Sequence, residues 1–160
     1  MRRALCLLGL LVLATPAAAL MLEVPFDRLA RDSDEIVRVK VIGLESRWTD
    51  DRATIVTDVT LAVVETWAGD LTPGNSIVLQ VQGGEVGEMG IRAEHQPVFA
   101  MGEEAVIFLK ATPSARWRVY GLEQGKYTVL EDQTVGFRRQ RLSLASLRAT
   151  VAGFRPARNR

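Results

Sequence analysis

The sequence predicts a mainly β fold, a small OB-like barrel followed by a C-terminal helix. Three observations lead there. Residues 36–44 and 54–67 are long runs rich in β-branched side chains in which apolar and polar positions alternate. Glycine-, proline- and aspartate-bearing turns divide the rest into shorter runs, for five or six strands of unequal length. The two leading strands are long enough to bend and serve both halves of a barrel, as OB-type barrels require. A β-sandwich of the same strands is the alternative.

Residues 25–34 read as a short helix or turn, with Phe26, Leu29 and Ala30 on one side. In the first strand Ile36, Val37, Val39, Val41, Ile42 and Leu44 supply the apolar positions, while Arg38 and Lys40 point away. Thr49, Asp50, Asp51 and Arg52 signal a hairpin. The second strand turns Ile55, Thr57, Val59, Leu61, Val63 and Glu65 to one face. Turns at Gly69-Asp70 and Pro73-Gly74-Asn75 lead to a third strand, residues 76–82, with Ile77, Leu79 and Val81 inward. Residues 83–99 are glycine-rich and are expected to form bulges or turns where a side chain would clash.

After a turn at residues 101–104, the run 105–110 is too apolar for an edge and is expected to be a central strand. Residues 116–122 and 126–130 are expected to pair with each other around Gly125 and close the barrel. Ser143 is placed to cap a helix whose Leu144, Leu147 and Val151 form one stripe.

The N-terminus has the layout of an export signal. Arg2 and Arg3 precede an apolar run from Ala4 to Ala14, Thr15 and Pro16 break it, and Ala17-Ala18-Ala19 offers small side chains for cleavage after Ala19. The apolar run is shorter than the roughly 20 residues a spanning helix needs. The expected organisation is a signal peptide over residues 1–19, a barrel domain over 20–142, a helix over 143–153 and a disordered basic tail over 154–160. About 141 residues remain after cleavage, enough for one domain with its own core. Cys6 is the only cysteine and leaves with the signal, which excludes disulfides and thiol chemistry from the mature chain. The expected location is periplasmic or secreted.

Charge is segregated along the chain. All 19 acids fall between Glu23 and Asp132, a stretch with 11 basic residues and so a net charge of −8. After Asp132 come seven arginines and no acid: Arg138, Arg139, Arg141, Arg148, Arg155, Arg158 and Arg160. The acidic body argues against nucleic acid as a partner, because it would repel phosphates. The arginine-rich C-terminus is a candidate contact for the acidic body of the same or a neighbouring molecule or for an anionic membrane surface, with Arg148, Arg155, Arg158 and Arg160 expected to stay in solvent.

Five segments together resemble a known family: SDEIVRVKVIGLESRW, IVTDVTLAVVETWAGD, QGGEVGEMG, QPVFAMGEEAVIFL and VYGLEQGKYTV. The pattern, covering nearly all of residues 33–129, is similar to a functionally uncharacterised family of exported bacterial β-barrel domains. That family occurs alone and in proteins with matrixin-like metalloprotease domains. Residues 33–69 also resemble the opening of netrin-like modules, the OB-fold of the tissue inhibitors of metalloproteinases. The chain departs from both where Trp67 and Ala68, rather than a lysine, precede Gly69. It also lacks the cysteines of the eukaryotic inhibitors, which excludes inhibition by an N-terminal cysteine on zinc. The resemblance implies an exported accessory module with a protein partner, a metalloprotease among the candidates.

No set of residues makes a persuasive catalytic or metal centre. His95 is the only histidine, and zinc sites draw on several His and Cys ligands. The acid pairs Glu85/Glu88, Glu103/Glu104 and Asp50/Asp51 fall in turns, where such residues usually meet solvent or their own backbone. The loop from Gly83 to Glu88 is sparse for calcium, and it lacks the lysine and helix of a phosphate-binding loop. Trp48, Trp67 and Trp117 near strand ends either close the core or offer a stacking surface. No cofactor is implied. The expected function is a non-catalytic protein-binding module whose rim includes Gly83, Gly84, Glu85, Gly87, His95 and Pro97. The alternative is a small hydrolase using Glu85, Glu88 and His95.

Overall fold

A computed structural model describes residues 23–113, 116–137 and 140–155. The predicted signal peptide, Arg138, Arg139 and the last five residues of the predicted tail lie outside them. The fold is mainly β, and its strand order closes a five-stranded barrel. The elements of that barrel are β1 (Glu35–Trp48), β2 (Ile55–Ala68), β3 (Ser76–Gln82), β6 (Glu104–Ala111) and β7 (Trp117–Val119). They run β1-β2-β3-β7-β6 and return to β1, all antiparallel except β3 beside β7. This is the small Greek-key barrel expected of an OB-like fold.

The inward alternation read from the sequence supplies the barrel interior. Val37, Val39 and Val41 of β1 meet Val59, Leu61 and Val63 of β2, Ile77 and Leu79 of β3, and Ala105, Ile107 and Leu109 of β6. Register shifts bend the long β1–β2 pair, one of them at Ile42, which stands 46% exposed on the outside. Trp117 packs against this interior, as a tryptophan closing the core would.

A second core lies on the opposite face of β6. There Val106 and Phe108 pack against α1 (Phe26–Asp32), β8 (Lys126–Val129), β9 (Thr134–Phe137), β10 (Gln140–Ser143) and α2 (Leu144–Phe154). Phe26 sits edge-on to Phe108 and Tyr127, with ring centroids 5.7 and 6.2 Å away. Both faces of β6 are therefore buried, which is why its run is apolar throughout. Ser143 caps α2 as expected, accepting a hydrogen bond from the Ser146 amide.

Three expectations need correction. First, β7 and β8 do not pair with each other. Both lie on the same edge of β6, β7 opposite Leu109–Ala111 and β8 opposite Glu104–Ile107. A short 3-10 turn, Leu122–Gly125, carries the chain from one to the other. Gly125 is pressed so closely on the Tyr120 carbonyl that a Cβ would lie 1.9 Å from its oxygen. Second, two further strands, β9 and β10, precede the helix. Third, Arg155 is not in open solvent but half-buried at the end of α2. Arg148 stays largely exposed, yet it pairs with Glu65 at 2.5 Å.

Candidate functional site

The barrel is open at one end because its two longest strands outrun the others. β6 begins at Glu104, opposite Lys40. The last backbone bonds there join Val41 to Gly102 and Glu103. Beyond that point β1 and β2 continue as a ribbon to the hairpin at Thr49–Thr54, and their inward positions become Leu44 beside Val59 and Ser46 beside Thr57. Leu44 is 39% exposed, although it continues the strand's core-facing series.

The chain crosses this ribbon as it leaves β3. The Gly83 amide donates to the Ile55 carbonyl (2.8 Å), and the Thr57 hydroxyl donates to the Gly83 carbonyl (2.7 Å). Ser46 Oγ lies 2.9 Å from Thr57 Oγ1. Gly84 then rests on those two hydroxyls. A Cβ there would sit 2.3 Å from Thr57 Oγ1 and 2.5 Å from Ser46 Oγ, and its φ of +141° is itself a glycine conformation. Gly83 and Gly84 thus stand where a side chain would clash, as expected of them. The strands that follow, β4 (Gly84–Val86) and β5 (Met89–Ile91), form a small hairpin standing over the ribbon.

Residues 92–103 complete the wall. His95 holds a left-handed backbone (φ 60°), and its carbonyl accepts from the Glu123 amide at 3.0 Å. Its Nδ1 lies 3.8 Å from Glu123 Oε1. Pro97 is buried, and Phe99 packs on the barrel interior with the Lys126 ammonium 5.0 Å from its ring centroid. Glu103 anchors the far end. Its carboxylate accepts from Lys126, from the Thr128 hydroxyl (2.7 Å) and from the Ala100 amide (3.0 Å). Burial alone would raise this carboxyl. The hydrogen bonds and the Lys126 charge outweigh it and hold the carboxyl below its usual range.

Together these walls enclose an open cleft of about 980 Å³, near the upper limit of the roughly 300–1,000 Å³ typical of ligand sites. Leu44, Val81, Ile91 and Phe99 give it apolar surface over the buried Val59, and Ser46, Thr57 and Gln82 add neutral polar groups. Among the described residues the charged lining is Glu85, Glu94 and Glu123 with Arg92. Val98, 73% exposed, stands on the rim.

Of the residues named from sequence, Gly83, Gly84, Glu85, His95 and Pro97 all line this cleft. Gly87 stands apart in open space at the β4–β5 turn, where its φ of +62° serves the turn alone. Glu88 occupies that same turn and is not part of the lining, so the three residues of the hydrolase alternative do not share one wall. No three His, Cys, Asp or Glu side chains group as metal ligands among the described residues. Trp67 packs on the second core and donates to Glu65 at 3.0 Å, while Trp48 stands at the ribbon tip near Arg52. Sequence reasoning missed Leu44, Ser46, Arg92, Glu94 and Val98 as site residues. A signal existed in Ser46 and Thr57, polar residues at inward positions of an otherwise aliphatic face.

Compared with protein-family models, curated proteins and solved structures, the chain finds no match.

Proposed function

We propose that this chain is an exported, non-catalytic module of the cell envelope or secretome that binds a protein partner in the cleft at the open end of its barrel. One observation carries the reading. The cleft is a concave surface with mixed apolar and polar lining, and its walls are fixed by backbone hydrogen bonds and by glycine positions that admit no side chain. Such a surface suits recognition, while Glu88 stands outside it and leaves the acid–base set of a hydrolase incomplete. The resemblance to exported modules that accompany matrixin-like domains makes a metalloprotease the first partner to test.

The test uses a photo-cross-linking amino acid placed at Val98 on the cleft rim or at Val64 on the outer sheet, both exposed. Each variant is irradiated with a purified matrixin-like protease and with envelope extract. Protein adducts from position 98 and none from 64 are expected. Equal yields from both positions, or none from 98, would remove the cleft as a partner site.

A further inference from the structure

We infer that the cleft takes a cationic, partly apolar peptide segment, an extended stretch in which arginine or lysine alternates with aliphatic residues. This rests on the cleft being the partner site and adds the chemistry of what enters it. Two features point to that ligand. The apolar surface of Leu44, Val81, Ile91 and Phe99 would cover aliphatic side chains, which gain by leaving water. Among the described residues the charged lining is unbalanced toward acid, with the exposed Glu85 on the hairpin wall and Glu94 on the loop against Arg92, while Glu123 on the turn below stands 3.8 Å from His95. A peptide with basic side chains meets that excess, while an acidic peptide would be repelled by it and by the acidic body as a whole.

Glu85 and Glu94 are both exposed, so their charges can be removed without opening the core. A general attraction of basic peptides to an acidic protein is separated from cleft binding by a control on acids outside it. Asp27 on α1 and Glu131 on the β8–β9 turn are exposed and do not line the cleft.

Fluorescence anisotropy with labelled nine-residue peptides tests the inference. One peptide alternates arginine with leucine, a second glutamate with leucine and a third arginine with serine. The arginine–leucine peptide should bind and the other two should bind more weakly or not at all. Replacing both cleft acids, Glu85→Gln with Glu94→Gln, should weaken binding by about three- to tenfold, the range for two partly exposed ion pairs. Asp27→Asn with Glu131→Gln should change it by less than about twofold, since neither side chain lines the cleft and exposed charges without direct contact contribute little. The inference falls if no peptide binds, if glutamate–leucine binds as well as arginine–leucine, or if both acid pairs matter equally. Cross-linking from position 98 that persists beside any of these results would leave the cleft a partner site for other chemistry. Loss of both would remove the two together.

Discussion

The two ends of β1 are built from the same kinds of residue and do opposite work. From Ile36 to Lys40 the strand is laddered to β2 on one edge and to β6 on the other. Val37 and Val39 fill the barrel there, while Ile36 fills the second core. From Gly43 to Trp48 its ladder partner among the described residues is β2, and its inward side chains face the cleft. Burial along the strand records the change, complete at Ile36 and Val37 and partial from Gly43 onward. A side chain's role here is set less by its own hydrophobicity than by whether β6 still runs alongside. Leu44 differs from Val39 chiefly in having outlived that neighbour.

The comparison breaks if the doubly covered end proves tolerant. Phe108 is fully buried in the second core, opposite Ile36 in the ladder. Phe108→Ala should lower unfolding stability by about 3–5 kcal/mol in urea titration. A loss below about 1 kcal/mol would mean the second core is not a packed unit.

At the same end Glu35 is only 6% exposed, and its carboxylate accepts from the amides of Asp70 (2.7 Å) and Leu71 (3.1 Å). Gly69 lies directly over that carboxylate, where a Cβ would approach Oε2 to 2.0 Å. Glu35→Ala leaves both amides without this acceptor and should cost about 1–3 kcal/mol. An unchanged urea midpoint would show that the loop from β2 to β3 does not depend on it.

Glu103 stands at the boundary between the two ends and gives the comparison a pH dependence. Its folded carboxyl lies below its ordinary value of 4.5. The stability it contributes is therefore complete above about pH 4.5 and is lost as pH falls through the folded value. Glu103→Gln should flatten stability against pH in that acid window and change its slope little near neutrality. Parallel acid curves for the two proteins would contradict the anchoring role. At the open end, Leu44→Ala should cost less than about 1 kcal/mol, because the side chain is already 39% exposed. A cost near that of Phe108→Ala would mean the cleft is closed in solution.

The barrel half of the fold was legible because its signal is local. Alternation in β1, β2 and β3 can be read without knowing the neighbours, and Ile77, Leu79 and Val81 turn inward as their spacing requires. The second core was not, since α1, α2, β8 and β9 each contribute few buried residues and meet only after folding. β7 and β8 were wrongly joined because the sequence does not say that one edge of β6 is long enough for both. β4 and β5 have three residues each, with a glycine in both, too short for a periodicity. Gly83 and Gly84 of the site could be read as positions where a side chain would clash. The contribution of Leu44 could not, for its exposure depends on where a strand sixty residues away begins.

The central claim is that the open end of β1 is a recognition surface, and occluding it tests this most directly. A chain beginning at Leu20 has no cysteine, so a single one can be placed at will. Leu44→Cys puts a thiol in the cleft, and Val64→Cys puts one on the outer sheet as control. Each is labelled with a bulky maleimide and titrated with the arginine–leucine peptide, with circular dichroism confirming the fold. Labelling at position 44 should abolish binding and labelling at 64 should leave it within about twofold, since one blocks the cleft and the other lies outside its lining. Equal binding by both labelled proteins would contradict the account.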